Sequence, residues 1–369
     1  DGNLTKIHYK CIILIAQKSE GCSFAITIYK KGWSPMWDPY GEFQSATLSN
    51  GLTIHAVHWP ERPWEAVGFL IYSGAEQDPV GLEGLAHFIE HLVSKNASIS
   101  QKEIEAFFEE SGGSINTGST SYGCTHYEFF VPTDRAVVSK AFSLFGQMLL
   151  ASKMERFIER ERQVIIGEFH RSYPLKWKVD LEMRERRALY KGRWLERFIT
   201  PIGTPESVGR ITQADIQTHY DAHYTPANIS LVCVGGMKLD EIVQLLSESS
   251  LSVNKQGART PLPAYVEDID PPLETHYIFE VSKHISTADP VAVGSYRSVA
   301  VIPGNVNTAL RILKNMLNEV LDDEVRQSRA WAYDIRNVFC NFHHFHEFAI
   351  NCGALKLESL DTIDEVVET

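Results

Sequence analysis

The apolar residues of this chain change period several times, and each change predicts an element. Two β-rich runs, Phe43–Leu48 and Leu52–Val57, flank Ser49-Asn50-Gly51, which predicts a hairpin. Near-continuous apolar sequence over Ala66–Tyr72 predicts a buried strand. Leu85, Phe88, Ile89 and Leu92 then recur at helical spacing. A further helix is expected from Lys102 to Glu110, capped by Ser100 and broken at Gly112-Gly113. Ser114–Thr117 and Thr125–Val131 read as strands joined by a polar turn. Helices are expected from Asp134 to about Leu150 and from Lys153 to Tyr173, and a short one opens at Gly203-Thr204-Pro205-Glu206. Ala227–Val234 predicts a strand and Lys238–Leu246 a closing helix.

Between about 250 and 273 the pattern fades and four prolines appear (Pro261, Pro263, Pro271, Pro272), which predicts a linker. Beyond it the sequence partly repeats. Ala66-Val67-Gly68 has a counterpart in Ala292-Val293-Gly294, and His126-Tyr127-Glu128-Phe129 in Phe345-His346-Glu347-Phe348. The offsets are 226 and 219 residues, so the two matches keep their order. A helix is expected over about Val306–Leu321, and it carries no histidine. Residues 1–42 hold a short apolar run and a Trp/Pro/Gly-rich passage, and are read as an N-terminal extension without an assigned role.

Composition narrows the function classes. At 369 residues the chain is long enough for two domains and a large core. A net charge of −12 argues against a nucleic-acid partner, which needs clustered Lys and Arg. No apolar run approaches a membrane span, so no membrane partner is expected. The six cysteines (Cys11, Cys22, Cys124, Cys233, Cys340, Cys352) are scattered without a Cys-x-x-Cys pair, and read as reduced residues of an intracellular, cytoplasmic protein. The chain starts at Asp1 and stops without a helix-stop signal, as expected of a fragment or a processed chain.

The candidate chemistry lies in Gly81–Leu92. His87 and His91 are four apart on the expected helix, so both imidazoles project from one face. Glu90 leans over the same face. The pattern His-x-x-Glu-His can supply two metal ligands and a base for a metal-activated water. Two partly buried structural histidines beside a surface Glu fit the same residues. A catalytic zinc needs a third protein ligand. The helix expected from Lys153 to Tyr173 offers Glu161 and Glu168, two turns apart on one side, although a solvated helix face is the favoured reading of that pair taken alone. In the run Asn341–Phe348, His344 and His346 would share a strand face, which an ordinary amphipathic strand also explains.

With these residues in view, the chain resembles the pitrilysin family of zinc peptidases, which includes insulin-degrading enzyme and mitochondrial processing peptidase. Gly84–His91 is similar to that family's zinc helix, and Glu168, 77 residues beyond His91, fits its third ligand. Gly113–Thr117 with Thr125-His126-Tyr127 resembles its edge-strand segment, Tyr224–Asn228 the end of its first half, and Val325–Tyr333 a run in its second half. Gln327, Ala330-Trp331 and Gly236 depart from the family's usual residues. The resemblance implies an α+β fold of two homologous halves, each an antiparallel-rich sheet with helices packed on one face. Residues 43–249 would be the catalytic zinc-binding half, 250–273 the linker, and 274–369 a non-catalytic half. At about a hundred residues, that half is expected to be truncated.

The same resemblance implies a zinc endopeptidase acting on peptides or unfolded segments. His87, His91 and Glu168 would hold Zn2+, Glu90 would be the base, and Glu161 would help orient the site. Asn116, on a strand that pairs with extended substrate, and Arg326 and Tyr333 from the second half would bind the peptide. A plain strand-edge Asn, a surface Arg and a core Tyr remain open for those three. A homodimer or heterodimer is compatible with the family. So is a catalytically silent member acting as a partner or structural subunit.

Overall fold

The computed structural model describes residues 43–95, 99–174, 176–190, 194–261, 280–282, 293–303, 307–331, 334–341 and 345–356. Residues 1–42 and most of the expected linker lie outside them. In chain order the first half carries strands β1 (Phe43–Thr47), β2 (Thr53–His58), β3 (Trp64–Ile71), β4 (Ser114–Thr120), β5 (Thr125–Pro132) and β6 (Ile229–Gly235). Its helices are α1 (Leu85–Val93), α2 (Gln101–Glu110), α3 (Arg135–Leu150), α4 (Ile158–Ser172), α5 (Lys176–Leu189), α6 (Pro205–Arg210), α7 (Gln213–His223) and α8 (Leu239–Ser247).

The strands form one six-stranded sheet in the order β1-β2-β6-β3-β5-β4. Every pairing is antiparallel except β2 with β6, so the sheet is mixed. That parallel pair joins strands more than 170 residues apart, and no local pattern announces it. Burial alternates along β3, with Glu65, Val67, Phe69 and Ile71 on the covered face, the signature of a sheet packed on one side. The core centres on aromatic rings: Phe69 stacks on Phe145 of α3 at 4.9 Å, with Phe108 of α2 and Phe129 of β5 against the same cluster. Burying each such ring stabilises the half by roughly 2–3 kcal/mol.

Local chemistry accounts for the helix starts. Ser100 caps α2 in a capping box with Glu103, Asp134 accepts from the N–H groups of Ala136 and Val137 at α3, and Thr204 and Ser207 cap α6. The first part of the expected linker is fastened to the first half. Thr260 N–H donates to Asn228 Oδ1 at 2.6 Å, and the Arg259 guanidinium lies over the Tyr72 ring and donates to Ser230 Oγ at 3.0 Å.

The second half contains β7 (Glu280–Ser282), β8 (Val293–Pro303), helix α9 (Asn307–Leu321), a π-helical turn at Asp322–Ser328, β9 (Asp334–Asn341) and β10 (Phe345–Lys356). Its sheet runs β7-β8-β10-β9, all antiparallel. Its run β8-β10-β9 repeats the order β3-β5-β4 of the first half, with β8 against β10 as β3 is against β5, whereas β7 precedes β8 in the chain and β6 follows β3. The two short sequence matches fall in these corresponding strands but not in corresponding registers. Gly68 faces Glu128, whereas Glu347 faces Val301 and Gly294 faces Leu355. Ala292, Tyr333, His343 and His344 lie outside the described residues.

Candidate metal centre

Helix α1 begins unusually, and that beginning aims its histidines. Its N-cap, Gly84, has φ 99°, and a Cβ there would lie 2.3 Å from the Ile202 carbonyl oxygen. Gly203, at φ 81°, presses on Glu83 from the other side. Only glycines let the 200–204 loop approach the helix start this closely. The capping carboxylate comes from outside the helix. Asp78 accepts from Gly84 N–H at 2.7 Å and Ala86 N–H at 2.8 Å. Arg197 ties the same turn down, donating to the Asp78 carbonyl at 2.8 Å and pairing with Glu83 at 3.0 Å. Burial pushes the Asp78 carboxyl up to about 8, against the pull of the two backbone N–H groups and Arg197.

From α1, His87 and His91 extend with ring centroids 4.7 Å apart. Helix α4 crosses it and brings Glu161 and Glu168 to the same place. Arg162 locks that crossing. It sits over the Phe88 ring and donates to the Val208 and Ile211 carbonyls at the end of α6. Glu168 Oε2 lies 3.5 Å from His91 Nε2 and 3.8 Å from His87 Nε2. Glu161 Oε2 lies 3.4 Å from His91 Nδ1, the nitrogen on the far side of the ring. Glu90 Oε2 is 3.8 Å from His87 Nε2 and accepts from Thr120 Oγ1 at 3.3 Å.

Electrostatics sort these groups into roles. Burial, then the neighbouring His91, pushes His87 down to about 4, with Glu168 opposing, so this imidazole is neutral at pH 7. For His91 burial acts downward, but its hydrogen bonds to Glu168 and Glu161 and the charges of Glu90 and Glu168 outweigh it and raise its pKa. The His91 hydrogen bond, foremost, holds Glu168 low against its partial burial. Burial pushes Glu90 up to about 7, against His91 and the Thr120 hydroxyl.

The residues present fit a metal ion. Ligand atoms of His87, His91 and Glu168 lie within 4.8 Å of one another, and no other such group of three occurs among the described residues. Three carboxylates converge on two imidazoles, while Lys95 and Arg171 weigh least among the influences on Glu90 and Glu168. A buried cluster of this sign is costly unless a cation balances it. Two imidazole nitrogens and one carboxylate oxygen are a zinc donor set that leaves a fourth position open. One feature is unsatisfied: His87 Nδ1 is buried without a hydrogen-bond partner.

Five of the eight residues expected from sequence therefore meet at one point: His87, His91, Glu168, Glu90 and Glu161. Asn116 lies on β4, the outermost strand of its sheet, where its Oδ1 accepts from Gly118 N–H at 3.2 Å. Arg326 lies in the π-helical turn and pairs with Asp322 at 3.1 Å. Tyr333 is outside the described residues. Sequence reasoning missed Asp78, Arg197 and Thr120. Arg197 falls between 174 and 202, where the hydrophobic pattern assigned no element, and Asp78 acts across a loop too long for a capping signature.

Fold and site together define a two-domain α+β protein whose first half carries an inverted His-x-x-Glu-His motif in a cluster that could hold a metal ion. The family model described as Insulinase (Peptidase family M16) matches residues 54–195, and the Peptidase M16 inactive domain matches residues 210–369. The chain belongs to the M16 peptidase family. Over 204 residues it is 28% identical to mitochondrial-processing peptidase subunit beta of Neurospora crassa, covering 55% of this chain and 42% of that protein. Over 231 residues it is 26% identical to the zinc protease PqqE of Helicobacter pylori, covering 59% and 49%. The match thus spans less than half the length of these curated relatives. In structure it resembles a protease from Helicobacter pylori, with TM-score 0.68 and 21% identity over 89% of this chain and 79% of the other. It also resembles pitrilysin, with TM-score 0.61 and 18% identity over 92% and 37%. At these identities the structural likeness speaks for the fold alone. Among the described residues no helix is long and apolar enough to cross a membrane.

Proposed function

We propose that this chain is a zinc-dependent endopeptidase that hydrolyses peptide bonds in peptides or unfolded segments. The observation that carries the reading is the convergence of His87, His91 and Glu168 within 4.8 Å, with the Glu90 carboxylate alongside and outside the ligand set. Zinc held by those three residues would supply Lewis acidity, polarising a carbonyl and acidifying water. The protein's own groups do the rest. Glu90 takes the proton from the attacking water and returns it to the leaving amine nitrogen. With zinc bound, Glu161 would receive the Nδ1–H of His91, which leaves the Nε2 lone pair for the metal.

An extended peptide would add to the free edge of β4, where backbone hydrogen bonds give sequence-tolerant affinity. Asn116 on that strand, with Arg326 and Tyr333 from the second half, would contact the peptide. The domain limits of this proposal are 43–249 for the metal-binding half and 274–369 for the second half, joined by 250–273. A dimeric assembly is part of it, since one relative's printed name is that of a subunit. The compartment is read as cytoplasmic, with a periplasmic or organellar one the alternative, since relatives bear mitochondrial and periplasmic names.

The competing reading is a catalytically silent partner subunit. It is favoured by the second half's match to the inactive-domain model. Zinc-loaded protein and its Glu90→Gln variant, assayed on a quenched peptide beside a longer form of the chain, separate the two. Cleavage lost with Glu90→Gln supports the peptidase. Full zinc occupancy without Glu90-dependent cleavage in either form overturns it.

A further inference from the structure

Glu90 sits on the metal helix, but its carboxylate is held from elsewhere. Strand β4 approaches it at two points. At the first, Gly118 packs so closely that a Cβ there would lie 2.6 Å from both Cγ and Oε1 of Glu90. Gly118 has φ 149° and falls where the β4–β5 register shifts between Asn116 and Ser119, so a bulge pushes this residue toward α1. At the second, Thr120 Oγ1 donates to Glu90 Oε2 at 3.3 Å. Among the described residues this is the one hydrogen bond to the Glu90 carboxylate, since His87 stands 3.8 Å away.

Thr120 is itself fixed. It pairs in register with Thr125 of β5, whose Oγ1 is 3.4 Å from its own. Thr125 is buried, and its single proton goes to the Ser73 carbonyl at 2.8 Å, so its lone pairs face Thr120. Thr120 thus has an acceptor on either side. A hydroxyl here can donate to a carboxylate, and it can equally accept from a carboxylic acid while turning its own proton to Thr125.

We propose that Thr120 and Gly118 are positioning residues for Glu90: the hydroxyl fixes one carboxylate oxygen and the missing side chain makes room for the other. The inference rests on the peptidase reading, because it gives Glu90 one orientation in which to meet water and leaving group. It adds that the strand offered to substrate and the strand that sets the base are the same strand. A peptide docked along β4 is then placed relative to Glu90 by backbone geometry, whatever its side chains.

The test uses the full chain loaded with zinc and compares Thr120→Val, Thr120→Ser and Gly118→Ala with wild type. Thr120→Val keeps the shape and removes the hydroxyl, and is expected to lower kcat about tenfold with KM unchanged. Thr120→Ser should restore most of it, and Gly118→Ala should lose at least as much as Thr120→Val. Zinc affinity, measured by chelator competition, and the thermal midpoint should stay at wild-type values in both Thr120 variants, because the three ligands are untouched. Wild-type kcat in Thr120→Val, failure of Thr120→Ser to restore, or a parallel loss of zinc affinity would overturn the proposal. A second readout does not need activity. Crystal structures of zinc-loaded wild type and Thr120→Val should show the Glu90 carboxylate displaced in the variant, and an unmoved carboxylate overturns the proposal. If wild type shows no Glu90-dependent cleavage, the peptidase reading falls, and the crystallographic comparison still decides the positioning role.

Discussion

Removing the Glu161 carboxylate should weaken zinc binding without touching a ligand. Glu161 is buried, at 2% exposure, and its Oε2 faces His91 Nδ1 at 3.4 Å. With zinc bound, that contact would keep the proton on Nδ1 and leave the Nε2 lone pair, on the side of Glu168, for the metal. Glu161→Gln keeps shape and an acceptor oxygen but removes the charge. Hydrogen bonds to charged partners exceed neutral ones by about 1 kcal/mol, so the loss should be about 1.4 kcal/mol or less, up to about tenfold in Kd. Glu161→Ala also frees the ring to rotate, and the expected loss grows to about 100-fold. Chelator competition gives both values. The comparison belongs above the folded pKa of His91, because Glu161 also contributes to that raised pKa, and at lower pH its removal would ease proton competition and mask the effect. Unchanged zinc affinity in both variants, with melting behaviour intact, would refute the idea that Glu161 orients His91.

Zinc affinity should also fall with pH in a defined direction. His87 is already neutral, but His91 is raised, so below the folded pKa of His91 a proton competes for the lone pair. Calorimetry in buffers of different ionisation enthalpy should show proton release on zinc binding below the folded pKa of His91, declining as pH rises through it, and no such trend would contradict the assignment. Without metal the sign reverses. The raised pKa of His91 stabilises the fold below about 6.5, and that contribution is lost as pH rises through its folded value. Asp78→Ala strands the Gly84 and Ala86 N–H groups at the start of α1 and should cost about 2 kcal/mol or more in urea melts. Asp78→Asn keeps one acceptor and should cost less, so equal stability of all three proteins would remove Asp78 from the account.

The parts of this molecule that were legible in sequence are those fixed by short-range chemistry. The β1–β2 hairpin, the Ser100 cap and the α3 start at Asp134 each follow from a few adjacent residues, and each forms as expected. The metal site was half legible by spacing. Four residues put two imidazoles on one face, and seven put Glu161 and Glu168 on one side of α4. Joining the two helices took the family resemblance, because no periodicity says which helices cross. What stayed hidden is tertiary. The parallel β2–β6 pair, the Arg197 tie and the Thr120 contact join residues 30 to 177 positions apart through geometry alone. The internal repeat shows the same limit. Sequence found the right strands, yet the pairing places Glu347 opposite Val301 and leaves Gly294 seven positions away.

In the proposed site His87, His91 and Glu168 hold one zinc ion while Glu90 stays outside its coordination. Anomalous diffraction at the zinc edge, from crystals of the zinc-loaded chain, tests this most directly. A single peak is expected within bonding distance of two imidazole nitrogens and the Glu168 carboxylate, with the Glu90 carboxylate beyond bonding distance. No peak there, a peak elsewhere, or Glu90 bonded to the metal would contradict it.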